Sequence, residues 1–419
     1  AREGAGGDTP GLLSRRRPGV ERIMNRMGPM IRERGAAVLD AGAALRAATL
    51  EARVDWLAAA SRRLADTAHQ SSAALASSTG LSRAMVEWGT RTTLDTVRAP
   101  TLRALAKQAL RDGFTPIPLL SVVLAGNLFT ASVREILVPL LLGVPVLAKA
   151  STREDAFPRM LVEALRHVDA TLGGAVDVVT FSGGDAAAER ALFERAGAVA
   201  VYGSDATLAE IQSRHPNTPL IAHGHGVSAA YCGRAALEAA PIEGTAAAAA
   251  LDVAAYDQRG CLSPQVIYVE ETRACSAEAF AESLARGLET ALPRGPLPLP
   301  AGAAQAQWRG LAEVEGRLIQ GDSYAISVRP AESIRWSPAY RNVNVSPVAS
   351  PSEAAERMQA FAQHLKCVGV DSESRATLQA ELRRHTGITA YTCTLGTMQT
   401  PPLDAPADGQ PPWRGLLRL

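Results

Sequence analysis

The rhythm of apolar positions along this chain changes near residue 110. From about Val20 to Leu110, apolar residues recur at three and four among Ala, Leu and Arg. That is the spacing of one helix face, and no strand-like run interrupts it. The segment Thr115-Pro116-Ile117-Pro118 then punctuates the chain. Beyond it, short apolar runs alternate with amphipathic stretches. Strands are predicted at Ser121–Ala125, Val144–Lys149, Val176–Phe181, Ala198–Tyr202 and Pro219–His223. Helices are predicted at Thr130–Leu142, Asp155–Val168, Ala186–Ala196 and Thr207–Ser213. Such alternation builds βαβ units and a parallel sheet covered on both faces, whose ligands bind beyond the carboxyl ends of the strands.

After Cys232 the pattern restarts. Helices are expected at Ile242–Ala254, Ala277–Leu288, Ser352–Leu365 and Ser374–Arg384, with strands at Gln265–Glu270, Cys367–Val370 and Ile388–Thr392. The Pro-rich stretch 293–302 reads as a connector. The fold class is therefore α/β, with two doubly wound domains and a helical N-terminal region. The expected divisions are a flexible terminus at 1–18, a first domain with its helical part at 19–232, a second domain at 233–393 and an irregular tail at 394–419.

Composition narrows the function. The chain has 419 residues, 47% hydrophobic and 20% charged, enough for two or three domains with real cores. A formal net charge of +1 gives no electrostatic case for nucleic acid. Five scattered cysteines without a CxxC pair suggest neither a disulfide framework nor a zinc site, and fit a reducing cytoplasm. The opening residues are polar and Arg-rich rather than leader-like, and the apolar region Phe114–Ala148 is broken by Arg134 and Glu135, so no membrane span is expected. Only three lysines occur (Lys107, Lys149 and Lys366), which makes each more informative.

Candidate chemistry centres on Cys261, in the run Asp257-Gln258-Arg259-Gly260-Cys261-Leu262-Ser263-Pro264-Gln265. A thiol in a polar loop after a Gly, at the start of a second domain, can reach a substrate, and its thiolate is a strong nucleophile. Asn127 follows the first predicted strand. It reads either as a turn residue or as an amide aimed at a developing oxyanion, paired with the backbone N–H of Cys261. Lys149 closes the second strand, as a solvated strand-end lysine or as a group facing the ligand crevice. Gly203-Ser204 offers backbone N–H groups and a hydroxyl to a phosphate, or simply a helix cap. No GxGxxG occurs. His223-Gly224-His225-Gly226 reads as a turn rather than a metal site, with a histidine able to take a proton from Cys261. His225 is the candidate base.

Together the runs Leu124–Phe129, Lys149–Thr152, Val201–Ser204, His223–Gly226 and Tyr256–Gln265 resemble the aldehyde dehydrogenase superfamily. Within it they resemble the LuxC-type fatty acyl-CoA reductases, from about residue 110 to 395. The resemblance implies a Rossmann-like cofactor domain and a catalytic domain, with Cys261 as nucleophile and Asn127 as oxyanion donor. It also implies that Lys149, Ser151, Thr152, Gly203, Ser204 and Gly224 line a nicotinamide cofactor site. Where hydrolytic members carry a Glu, Leu220–His225 has no carboxylate, so water attack on a thioester should be slow. Thr152 stands where NAD-preferring members are acidic, and Arg153 is beside it, which favours NADPH.

The implied activity is reduction of an acyl thioester to an aldehyde. An acyl-phosphate reductase and a non-catalytic acyl-binding scaffold are the alternatives. Self-association is expected by analogy, and delivery of the acyl group by a ligase or transferase partner stays open. The apolar stretch Ile136–Leu142 reads as core packing, with a substrate tunnel as the alternative.

Overall fold

Helix-favouring residues dominate the first hundred positions, and helices form there at Pro18–Ala47, Leu50–Gln70, Ser72–Thr79, Arg83–Leu94 and Ala99–Ala109. The computed structural model describes residues 18–110, 114–330 and 335–418, with side chains from Met27 onward. The terminus expected to be flexible therefore lies outside the described residues, save for Pro18. In the helix Leu50–Gln70, Thr49 caps the first turn by accepting from the Ala52 N–H at 3.1 Å. Its buried stripe of Val54, Leu57, Ser61, Leu64 and Ala68 follows the helical period and packs on the helix Ala156–Val168.

Five parallel strands follow: β1 (Leu120–Val123), β2 (Val146–Ala150), β3 (Val176–Thr180), β4 (Ala198–Tyr202) and β5 (Leu220–His223), in the order β3-β2-β1-β4-β5. The strand order reverses between β1 and β4, and a crevice opens there at the carboxyl ends. The register sets Lys149 opposite Val123 and Tyr202 opposite His223 along this edge. The helix Ala131–Leu141 lies between β1 and β2, so the apolar region Phe114–Ala148 is strand, helix and strand. Ile136, Leu137, Leu140, Leu141 and Leu142 are fully buried in the core, as the packing reading expected. Among the described residues no helix is long and apolar enough to cross a membrane.

The chain leaves β5 and enters a second sheet after only three residues, Gly224, His225 and Gly226. This sheet holds β6 (Val227–Cys232), β7 (Pro264–Glu270), β8 (Arg317–Gln320), β9 (Ala325–Val328), β10 (Asn342–Val348), β11 (Leu365–Val370) and β12 (Thr392–Thr394). The order is β12-β11-β6-β7-β10-β9-β8, parallel except for the antiparallel β9–β8 edge. The carboxyl edge of the first sheet thus meets the amino edge of the second.

Several expectations shift here. Val227–Cys232, placed with the first domain by the reading of the sequence, hydrogen-bonds to β7 and β11 in the second sheet. The stretch 293–302 is a connector only in part, because the helix Leu299–Glu315 begins inside it, with Pro300 at a first-turn position where its missing N–H costs nothing. The last strand is Thr392–Thr394 rather than Ile388–Thr392, because the backbone must first turn at Gly387 (φ 70°) before it pairs with β11. The tail is irregular but not loose. It returns to the first sheet, where the Ile117 N–H donates to the Leu416 carbonyl at 2.9 Å and Thr115–Pro116 pairs with Leu417–Arg418.

Between the helix Ile242–Ala254 and Cys261 the backbone is left-handed at Tyr256, Asp257 and Gln258 (φ 53°, 52° and 59°). A second left-handed run, Ala339, Tyr340 and Arg341 (φ 61°, 53° and 66°), faces it. Arg341 Nη2 donates to Asp257 Oδ1 at 2.9 Å, with both side chains 1% exposed. The Tyr340 N–H donates to the Asp257 carbonyl at 2.9 Å, and the Gly295 N–H to Asp257 Oδ2 at 3.0 Å. Asp257→Asn leaves a buried guanidinium without its counter-charge and should lower stability by about 3–5 kcal/mol. Denaturant unfolding of the intact chain, compared with wild type, measures this.

Candidate active site

The left-handed turn aims the loop that follows it. Tyr256 is buried, its hydroxyl lies 3.1 Å from Thr130 Oγ1, and its ring meets Trp88 and Phe129 edge to face. Gly89 is required beneath it, because a β-carbon there would come within 2.7 Å of the Tyr256 ring and hydroxyl. Arg259 Nη1 donates to the Thr79 carbonyl at 3.0 Å. The N-terminal helices therefore brace the nucleophile loop from behind.

Cys261 emerges from this loop ahead of β7 with its surface open to the cleft between the sheets. Its carbonyl accepts from Ser228 Oγ at 2.8 Å, and the Ser263 N–H donates to the Gly260 carbonyl at 3.1 Å. Cys232, Cys275, Cys367 and Cys393 are buried. The surrounding protein mass pushes the Cys261 thiol up from its ordinary value; the Lys366 charge lowers it and Asp408 raises it. Its own backbone N–H also favours the thiolate.

Asn127, on the loop after β1, reaches the same loop. Its Nδ2 donates to the Arg259 carbonyl at 2.9 Å, two residues before Cys261. One amide hydrogen is spent there, and an amide carries two. Gly126 makes the approach possible, since a β-carbon on it would lie 2.3 Å from Ser151 Oγ.

Two groups near Cys261 were not singled out from the sequence. Lys366, on β11, and Cys261 flank Gly226: a β-carbon on that glycine would lie 2.5 Å from Lys366 Cε and 3.0 Å from Cys261 Cβ. The tail brings Asp408 to the same place, with Oδ1 on Lys366 Nζ and Oδ2 2.8 Å from His223 Nδ1. The expectation covered the slot Leu220–His225 alone, and a carboxylate reaches Cys261 from elsewhere in the chain. The slot after β5 lacks one, but the tail supplies Asp408 from nearly two hundred residues away. Both its oxygens are engaged, and these partners hold its carboxyl below the usual range against the opposing effect of burial. The signals were the scarcity of lysine and the pair Asp408-Gly409, which favours a two-residue turn with positive φ.

His223, stacked on Tyr202 at 4.3 Å, joins this cluster through Asp408. The ring of His225, the candidate base, instead meets His364 edge to face at 5.8 Å, and its backbone N–H donates to Asp205 Oδ1 at 3.0 Å. Neither imidazole is hydrogen-bonded to Cys261 among the described residues.

The other candidates line the carboxyl edge of the first sheet. Lys149 is half-buried, lies 5.5 Å over the Phe181 ring and makes no ion pair among the described residues; burial lowers its pKa. Ser151 Oγ accepts from the Arg153 N–H at 3.2 Å, and Thr152 and Arg153 are exposed. Ser204 caps the helix Asp205–Arg214 by accepting from the Thr207 N–H at 3.2 Å, so its hydroxyl already has a role. Gly203 and Gly224 each sit where a side chain would strike a neighbour: Thr207 at 3.3 Å and Asp205 Oδ1 at 2.4 Å, respectively.

An exposed thiol and a side-chain amide thus meet on one loop where the two parallel sheets join. The pattern of the family described as acyl-CoA reductase (LuxC) matches residues 45–419. The chain belongs to the LuxC acyl-CoA reductase family. Its members are oxidoreductases that act on acyl groups and aldehydes. The match includes most of the helical N-terminal region, beyond the 110–395 carried by the motifs.

Solved structures agree on the fold. Aldehyde dehydrogenase 21 from Physcomitrella patens, in complex with succinate, superposes with a TM-score of 0.72 at 15% identity, over 92% of this chain and 88% of that one. An NADP-dependent glyceraldehyde-3-phosphate dehydrogenase from Bacillus halodurans gives 0.68 at 16%, over 88% and 83%. An NAD-dependent benzaldehyde dehydrogenase from Corynebacterium glutamicum gives 0.67 at 14%, over 84% and 83%. No curated protein matches the chain in sequence.

A cleft of about 560 Å³ lies between the helix Ala131–Leu141, β4, β5 and the tail. Arg134, Tyr202 and Asp408 line it, and all three also act electrostatically on Cys261 or are acted on by it. Val138 and Pro139 supply apolar wall from the same helix.

Proposed function

We propose that this chain reduces an acyl thioester, a fatty acyl-CoA, to an aldehyde through an acyl thioester on Cys261, with NADPH as reductant. The observation that carries this reading is the convergence of Asn127 and Cys261 on one loop: the amide is bonded 2.9 Å from the Arg259 carbonyl, two residues before the exposed thiol.

The residues act in sequence. The Cys261 thiolate attacks the acyl carbonyl, so an Sγ–C bond forms. The oxyanion accepts hydrogen bonds from Asn127 Nδ2 and the Cys261 N–H. The C–S bond to CoA breaks as the oxyanion re-forms the carbonyl, and CoA leaves as its thiolate, which takes a proton from solvent water. The acyl chain lies along the cleft beside Val138 and Pro139. When bound, the reduced nicotinamide supplies the hydride. Cleavage of the Cys261 Sγ–C bond then frees the aldehyde and returns the thiolate.

The residues at the first sheet's carboxyl edge fit such a cofactor. Lys149 is a half-buried cation without a carboxylate partner among the described residues, and Gly203 and Gly224 let the backbone pass close to Thr207 and Asp205 at this edge. Lys149 and Ser151 would hold a ribose, and Thr152 with Arg153 leaves room and positive charge for a 2′-phosphate. Gly203 and the backbone at Ser204 would approach the pyrophosphate, because the Ser204 hydroxyl is committed to its cap. Division of labour follows the sheets: the first, with its helices, binds cofactor, and the second carries the nucleophile.

Intact-mass measurement after mixing with acyl-CoA should show one acyl adduct on wild type and none on Cys261→Ala. An adduct on the variant, or none on wild type, overturns the reading. Asn127→Ala should still fold and lower kcat about 10²–10³-fold, the usual loss for one oxyanion donor. Arg153→Ala should raise the KM for NADPH about tenfold, as one charge-assisted bond is lost, and leave that for NADH unchanged. Steady-state kinetics with both nucleotides checks this.

A further inference from the structure

Before it pairs with Thr115–Pro116, the tail crosses the site in a tight, hydrogen-bonded turn. At Ala407–Gln410 the Ala407 N–H donates to the Gln410 carbonyl at 2.8 Å, and the Gln410 N–H to the Ala407 carbonyl at 2.9 Å. The two central residues, Asp408 and Gly409, are both left-handed (φ 52° and 70°). This is a two-residue turn of the type that tight hairpins use, and it needs an Asp-Gly-like pair. Its tip presents the Asp408 carboxylate to Lys366 and His223. Lys366 Cε and Cys261 Cβ lie 2.5 and 3.0 Å from the point a Gly226 β-carbon would occupy, so the two side chains are neighbours over that glycine. Lys366 and Asp408 have side chains 13% and 31% exposed, so the pair is screened far less than a surface ion pair.

We propose that Lys366 and Asp408 form a positioning pair that tunes the nucleophile: the Lys366 ammonium favours the Cys261 thiolate, and Asp408, delivered by the C-terminal tail, holds that ammonium in place and partly offsets it. The pair rests on the reading of Cys261 as nucleophile and extends it to how the thiolate is made. Other groups act on Cys261 from each element around it. They are Arg134 on the helix Ala131–Leu141, Tyr202 at the end of β4, His223 through Asp408, and Cys367 on β11. Among these, the Lys366 charge is the largest influence favouring the thiolate, and the Asp408 charge opposes it.

Opposite charges make opposite predictions, and a merely structural role does not. The rate at which iodoacetamide alkylates Cys261 in the full chain, read by mass spectrometry of its peptide from about pH 6 to pH 10, gives the titration midpoint of the thiol. Lys366→Met should raise that midpoint by about one pH unit and slow alkylation at neutral pH several-fold. Lys366→Arg should keep the midpoint near wild type. Asp408→Asn, which keeps the shape and removes the charge, should lower it. The proposal is overturned if Lys366→Met and Asp408→Asn move the midpoint in the same direction, or if neither moves it. Unchanged near-UV circular dichroism identifies the variants that fold, and Lys366→Arg keeps the comparison usable if Lys366→Met does not. The alkylation midpoint needs no substrate, so a wild type that forms no acyl adduct would overturn the function while leaving this result to be judged separately.

Discussion

The buried pair of Asp257 and Arg341 sets the geometry on which the site depends. Each residue lies within a three-residue run of left-handed backbone, a conformation that costs of order 1 kcal/mol or more per non-glycine residue. Such backbone persists only when its surroundings over-determine it. Here Arg341 bonds the Asp257 carboxylate, the Tyr340 N–H bonds the Asp257 carbonyl, and the Gly295 N–H bonds the other carboxylate oxygen. A buried ion pair seldom adds much net stability over well-packed apolar residues, because desolvation offsets attraction. What this one supplies is direction: it turns the chain sharply after the helix Ile242–Ala254 and projects Cys261 into the space between the sheets.

The helical N-terminal region takes its place in the same argument. Met85 accepts from the Tyr256 N–H through its sulfur at 3.0 Å, Gly89 lets the Tyr256 ring approach, and the Thr79 carbonyl holds Arg259. These contacts fall on the residues that bracket the left-handed turn. The helical region thereby fixes the loop that carries Cys261. A family match that begins at residue 45 accords with this, since the helices are part of the site's support.

The first sheet was readable because parallel strands buried on both faces are continuous apolar runs, and all five begin and end within two residues of their expected bounds. The second sheet was less readable for physical reasons. β10 is Asn-Val-Asn-Val-Ser-Pro-Val, whose polar residues suggest a loop, yet Asn344 Nδ2 donates to the Gln265 and Arg335 carbonyls at 3.0 Å. β8 is a short edge strand with exposed Arg317 and Gln320, and its partner β9 has only four residues. Local pattern cannot supply partners that arrive from elsewhere in the chain. The same limit applies to the site. Cys261 and Asn127 announce themselves through turns beside predicted strands. Lys366 and Asp408 acquire meaning only when β11 and the tail are brought to Gly226, and His223 rather than His225 then joins them.

The bound state of Asp408 bears on the fate of a thioester formed at Cys261. A carboxylate near an acyl-enzyme becomes a hydrolytic base only if an oxygen can accept a proton from water. Here one oxygen is tied to Lys366 and the other to His223, and these partners keep the carboxyl ionised and weakly basic. Glu135 acts instead on the Tyr202 hydroxyl, whose pKa is raised chiefly by burial and then by the Glu135 charge. On the function proposed above, a carboxylate committed in this way is a poor base for water, and an acyl–sulfur bond on Cys261 outlasts hydrolysis long enough to be reduced.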